Sequence, residues 1–264
     1  MLMIENIYQE VGKGMTMPYR AVINGEDYIV KSINNKEGYL SLFNDYVGNY
    51  LTNFFELKTP DFGFCKFGDN SVSSIHTNFS VNELFFYSKY INNPMYINDV
   101  ALLKLINNED LIKLVVLDYL ILNEDRNAEN IFIIFNNQTE RIELFPIDYT
   151  HSFPNGVLWE MGQMKRIVKE NNFISFEKYM KLNHIHQMIM ENIKFTKIEF
   201  EECTKRIYNR LSNIDIEEMI NSVDGNILKR ISVSDLESFK QFLKLRIGNF
   251  QQLVEDVAIL IKED

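Results

Sequence analysis

The chain has 264 residues, 46% apolar and 24% charged, the balance of one or two folded domains rather than of a disordered chain. Its 27 basic and 37 acidic residues leave a net charge of −10, and no Lys/Arg block offers the basic face that displaces counterions from nucleic-acid phosphates. The longest apolar runs, Ile131–Phe135 and Val257–Ile261, are five residues each, far short of the roughly 18 a bilayer span requires, so neither nucleic acid nor membrane is expected as a partner.

Met1–Asn6 lacks the basic and apolar regions of a signal peptide. Cys65 and Cys203 are too few for a disulfide framework, which predicts a cytoplasmic protein with reduced thiols. His184 and His186 stand two apart, on different sides of a helix, and are expected at the surface rather than on zinc.

The first ninety residues read as strand-rich with one helix. The run from Pro18 to Lys31 is a hairpin around Asn24-Gly25, a type I′ turn signal. With those two as loop residues, Ile23 faces Glu26, and counting outward sets Pro18 opposite Lys31. The loop Gly12-Lys13-Gly14-Met15-Thr16 then falls beside Lys31. Leu40–Phe55 carries apolar residues at helical spacing. Phe62–Phe67, Ser73–Phe79 and Leu84–Ile91 are short strand candidates, and Asn92-Asn93-Pro94 is a turn expected to separate two lobes.

Beyond that turn the pattern becomes helical. Val100–Ile106 is one expected helix. Asn108-Glu109-Asp110 caps a second, Leu111–Leu122, apolar on nearly all sides and so buried. Ile131–Phe135 and Arg141–Ile147 form a second hairpin, with helices from there to the end. The last opens on Ser234-Asp-Leu-Glu237, which fits a capping box, and holds a 3–4 apolar spacing to Leu260 through Gly248.

The densest chemistry is Asn123-Glu124-Asp125-Arg126-Asn127-Ala128-Glu129-Asn130, then a hairpin, then Pro146-Ile147-Asp148. Phosphoryl transfer needs one carboxylate at the attacking hydroxyl, and an amide and a second carboxylate to hold Mg²⁺ on the phosphates. Asp125 and Asn130 have the D-x-x-x-x-N separation of a kinase catalytic loop. The plainer alternative is a turn rich in Asn and Asp. Upstream, glycines 12 and 14 would let main-chain N–H groups approach phosphate, with Lys13 or Thr16 as added donors, or would simply form a tight turn. Lys31, in Tyr28-Ile-Val-Lys, stands either as a phosphate-contacting strand lysine or as an exposed strand end. Asp118, seven before Asp125 in the buried helix, must be hydrogen-bonded and reads as an anchor for the loop. His151 reads as a turn histidine or as support for the site.

These stretches together resemble the HipA-like kinases, a bacterial branch of the protein-kinase-like fold. The likeness is carried by Gly12-Lys-Gly-Met-Thr-Met-Pro-Tyr19, Tyr28-Ile-Val-Lys31, the segment from Leu117 to Asn130, and Phe145-Pro-Ile-Asp-Tyr-Thr-His-Ser-Phe153. It implies an α+β bilobal fold: a small β-rich lobe over 1–92 and a larger, mainly helical lobe over 93–264. It also implies ATP and Mg²⁺ as cofactors and a protein Ser/Thr hydroxyl as acceptor; several members are toxins of toxin–antitoxin pairs, so an antitoxin is an implied partner. Position by position, Asp125 looks like the catalytic base, Asn130 and Asp148 like the Mg²⁺ ligands, and Lys31 like the phosphate lysine. Residues 12–16 look like the phosphate loop, and Lys89, Tyr90 and Ile91 like the hinge that receives adenine. One departure stands out: relatives carry Asn-Glu where this chain has Asn44-Asp45, so the partner of Lys31 is Asp45 or, failing that, Glu37. A nucleotide-binding module without transfer, and a small-molecule phosphotransferase, are the competing expectations.

Overall fold

The computed structural model describes residues 1–12, 15–138, 140–159, 162–171 and 175–261. In chain order the strands and helices are β1 (Leu2–Glu10), β2 (Tyr19–Ile23), β3 (Glu26–Ser32), α1 (Tyr39–Phe54), β4 (Phe62–Ser73), β5 (Leu84–Lys89), β6 (Met95–Tyr96), α2 (Val100–Leu103) and α3 (Asn108–Ile121). They continue with β7 (Ile131–Asn136), β8 (Arg141–Pro146), α4 (Gln163–Glu170), α5 (Phe176–Met180), α6 (His184–Asn192), α7 (Lys197–Leu211), α8 (Ile216–Asn221), α9 (Gly225–Leu228), α10 (Val233–Gly248) and α11 (Phe250–Ala258).

The first five strands close a barrel in the order β1-β2-β3-β5-β4, with β1 and β4 parallel and the other neighbours antiparallel. The β2–β3 turn has both central residues at positive φ, Asn24 at 50° and Gly25 at 74°, as a type I′ hairpin demands. Ile23 pairs with Glu26 and Tyr19 with Val30, the register read from the sequence. Ile7, Ala21, Ile23, Val30, Cys65 and Phe85 fill the barrel. A second, larger core joins α1, the far face of β5 (Leu84 and Phe86) and the C-terminal helices. Strand β5 is therefore buried on both faces, and its alternate residues serve different cores.

Helix α3 is the centre of the larger core: every residue from Leu111 to Ile121 is buried, which is why its apolar residues encircle it. The β7–β8 hairpin, with β6 added to β7, makes a small antiparallel sheet.

Several expected boundaries move. Ser73–Phe79 is not a strand: β4 runs unbroken from Phe62 to Ser73, because β1 pairs with it again at Val72 and Ser73, past a shift in register after Phe67. After it, Ser73 Oγ bonds back to the Ile75 and Thr77 carbonyls. Strand β5 ends at Lys89, and α2 at Leu103. The cap of α3 is Asn107, whose side chain accepts from the Glu109 N–H at 3.0 Å. The final helix is two: Ser232, not Ser234, caps α10, and the chain breaks at Asn249 before α11. A continuous 3–4 spacing cannot reveal such a break, since both helices turn the same stripe inward. Histidine 186 is buried, against the surface expectation, while His184 is exposed.

Candidate active site

Strand parity carries Lys31 to a cleft of about 300 Å³ outside the barrel. Tyr28 and Val30 face the barrel interior, so Ile29 and Lys31 face the other way, with Phe86 and Ser88 of β5 beside them. Residues 89–91 and Asp148 also line this cleft. The Lys31 ammonium donates to Asp45 Oδ2 (2.7 Å), Asp148 Oδ1 (3.1 Å) and Thr150 Oγ1 (3.2 Å), an acceptor for each of its protons. Burial alone would lower its pKa; the Asp148 and Asp45 charges outweigh that and raise it. In return, against burial, Lys31 and the hydrogen bonds from Thr150 pull the Asp148 carboxyl down to about 2. Asp45 is lifted by burial and by the Asp148 charge, Lys31 opposing, so the site holds its charges most firmly on Lys31 and Asp148.

Helix α1 sets this pair. Asp45 Oδ1 accepts from the Tyr149 N–H at 2.8 Å, and Asn44 Nδ2 reaches the carbonyls of Thr150 (2.8 Å), Ser152 (3.3 Å) and Gly156 (3.0 Å). Asp148 itself is held at φ 55°, a conformation uncommon outside Gly, Asn and Asp. Glu37 is not the lysine's partner; it lies 3.0 Å from His151 Nε2.

The catalytic-loop candidates come from the turn after α3. Leu122 ends that helix at φ 53°, and Asn123 N–H returns to the Asp118 carbonyl at 2.8 Å. The Asn123 carbonyl is held by Tyr179 Oη (2.7 Å) and Asn183 Nδ2 (3.0 Å), its side chain by bonds to Asp118 and the Asp125 N–H. Asp125 thus stands exposed on a fixed loop. Asn130 Nδ2 donates to the Asp125 carbonyl at 2.8 Å, which leaves Oδ1 as its acceptor. The Ile147 N–H bonds the Asn130 carbonyl at 3.0 Å, so the base of the β7–β8 hairpin sets Asn130 next to Asp148's neighbour.

Arg126 ties the loop to the hairpin, a role the sequence did not disclose. Its Nε and Nη2 fork onto the Asp118 carboxylate at 2.8 and 2.9 Å. Its Nη1 donates to the carbonyls of Asn130 (2.8 Å) and Ile147 (2.5 Å). His186 Nε2 lies 3.1 Å from Asp118 on the other side. Burial alone would raise the Asp118 carboxyl; Arg126 and His186 outweigh it and hold it below its ordinary value. The anchor expected of Asp118 is present. The visible signal for its partners was only that a buried carboxylate needs cations, without saying which.

Not every candidate converges. Lys13 and Gly14 lie outside the described residues. Val11 and Pro18 line the cleft, while Thr16 is turned into a separate polar cavity with Ser32 and Glu83, and Met15 is exposed. Lys89 lines the cleft, and its ammonium is held 2.9 Å from both Glu26 oxygens. Among the described residues no three His, Cys, Asp or Glu side chains gather as a metal cage. Magnesium in phosphoryl transfer needs less, one or two protein donors completed by phosphates and water, and Asp148 with Asn130 Oδ1 fits that set.

A barrel, a helix that delivers a carboxylate to a strand lysine, and a loop–hairpin–Asp segment define a kinase-like phosphotransferase. A family model described as HipA-like kinase matches residues 4–207, and the chain belongs to that family. Among solved structures it is similar to the proinflammatory kinase CtkA of Helicobacter pylori, at 13% identity over 97% of each chain with a TM-score of 0.52. It is also similar to HipA of Shewanella oneidensis, solved with HipB and operator DNA, at 10% identity over 94% of this chain and 67% of that one, TM-score 0.45. At these identities the first likeness speaks for the fold alone and the second adds no argument. No curated protein sequence matches the chain.

Proposed function

We propose that this protein is a two-lobed, Mg²⁺-dependent kinase that transfers the γ-phosphoryl group of ATP to a Ser/Thr hydroxyl of a protein. The observation that carries the reading is Lys31, neutralised by Asp45 and Asp148 in a cleft that residues 89–91 also wall. ATP would lie with its adenine against residues 89–91 and its phosphates toward Lys31, which would exchange part of its contact with Asp148 for phosphate oxygens. Asn130 and Asp148 would hold the metal, which when bound neutralises charge on the β- and γ-phosphates. Asp125 would accept the proton of, or orient, the attacking hydroxyl.

The exposure of Asp125 favours a protein acceptor over a small molecule, because an extended chain can reach a carboxylate that stands at the surface. An antitoxin partner is proposed on family membership alone. None of the described helices is long and apolar enough to cross a membrane, and a cytoplasmic site of action is proposed with the rest.

The test is incubation of the purified protein with γ-labelled ATP, Mg²⁺ and a cell lysate. Label should appear on lysate proteins or on the protein itself, only with Mg²⁺. Mg²⁺–ATP stabilisation of the fold without any transfer would replace this reading by a nucleotide-binding module. Label on small hydroxyl compounds alone would replace it by a small-molecule phosphotransferase.

A further inference from the structure

Kinases pair the strand lysine with a helix glutamate; here an aspartate, one methylene shorter, reaches Lys31 at 2.7 Å. The reason lies one turn along α1. Tyr149 runs lengthwise on that helix: its N–H donates to Asp45 Oδ1, its ring root sits over Gly48, and its hydroxyl meets Thr52 Oγ1 at 2.6 Å. A Cβ at position 48 would stand 2.2 Å from Tyr149 Cγ and 2.4 Å from its Cβ. Carbons rest in contact at about 3.5 Å, so any side chain there would hold α1 about 1.3 Å farther from Tyr149. One added methylene extends a side chain by nearly the same amount, since a C–C bond is about 1.5 Å and lies oblique to the chain. Gly48 is not among the glycines at positive φ, and glycine inside a helix is destabilising against alanine. Space, not backbone freedom, is what it supplies.

We propose that Gly48 and Asp45 are matched positioning residues. The absent side chain at 48 seats α1 close enough to Tyr149 for an aspartate to bridge Lys31 and the Tyr149 main chain at once. With α1 at this distance a glutamate at 45 has no room, because Asp45 is 1% exposed and both its oxygens are engaged. The inference deepens the phosphoryl-transfer reading and rests on it only for its activity readout.

The test is a double-mutant cycle of Gly48→Ala and Asp45→Glu in the full chain. Its first readout, in nucleotide-free protein, is the rate at which an amine-acylating reagent modifies Lys31, followed by mass spectrometry. Each single variant should raise that rate about tenfold, the equivalent of one charge-assisted hydrogen bond, and the double variant should return it close to wild type. The second readout, Mg²⁺–ATP stabilisation and transfer, should follow the same non-additive pattern. Additive losses, or an Asp45→Glu protein with wild-type Lys31 protection, would overturn the proposal. If Gly48→Ala does not fold, a folded double variant supports the match and an unfolded one refutes it. Should wild type neither bind nor use ATP while the labelling cycle holds, the function proposed above fails and the matched pair stands.

Discussion

Replacing Arg126 by alanine perturbs the site at its most buried charge. The Arg126 and Asp118 side chains are both 0% exposed, and the guanidinium also serves two main-chain carbonyls, those of Asn130 and Ile147. Removing one partner of a buried pair leaves an uncompensated charge, at about 3–5 kcal/mol. The two carbonyls that lose a donor add about 1 kcal/mol each, less whatever water enters. Against a total stability of roughly 5–15 kcal/mol for a folded domain, the variant should lose about a third of it or more.

The loss should also depend on pH. In wild type the Asp118 carboxyl is held below its ordinary value, near 3.9 when unfolded. The pair's contribution is therefore present above that pH and lost as pH falls through the depressed folded value. Without Arg126, burial lifts the carboxyl instead, opposed by His186 at 3.1 Å and the Asn123 amide at 3.2 Å. Its contribution is then most favourable at low pH and declines as pH rises through the raised folded value. Urea unfolding at pH 5 and pH 8 should show the larger wild-type-to-variant gap at pH 8, and adding Asp118→Asn to Arg126→Ala should recover about 1–2 kcal/mol there. A cost below about 1 kcal/mol, or no recovery on removing the Asp118 charge, would refute the claim that this buried pair fastens the loop after α3 to the hairpin.

Three further outcomes follow from the same geometry. Asp148→Asn should reduce the Mg²⁺-dependent gain in melting temperature that ATP confers, whereas Asp125→Asn should keep that gain and lower labelled-phosphate transfer by about 10²–10⁴-fold. Lys31→Met should abolish transfer and also destabilise the fold, because it strands Asp45 at 1% exposure. Adding Asp45→Asn should restore part of that stability in urea melts, whereas additive losses would show the two residues uncoupled. Gly248→Ala, whose added Cβ meets nothing within 4 Å, should be neutral or stabilising by up to about 1 kcal/mol, in contrast to Gly48→Ala.

Where a feature depends on a few adjacent residues, the sequence by itself determined it. The Asn24-Gly25 turn fixes its strand register because only residues tolerant of positive φ close a two-residue loop that way. That register foretold which end of the hairpin Lys31 would occupy. The two β runs between Asn130 and Asp148 likewise announce a hairpin, since the short turn joining them brings them antiparallel. Apolar residues all round α3 announced its burial. Tertiary structure decided whatever joins residues far apart in the chain. Nothing local distinguishes His184 from His186, yet packing of α6 buries only the second, beside Asp118. Strand β1 closes the barrel by pairing in parallel with a strand some sixty residues later, and long-range pairing leaves no mark in either segment's periodicity. In the sequence Asp45 stands out as a departure from Asn-Glu, and nothing marks Gly48. Their meaning depends on a third residue, Tyr149, about a hundred positions away, because the length a side chain must span is set by the distance between packed elements and not by the chain that carries it.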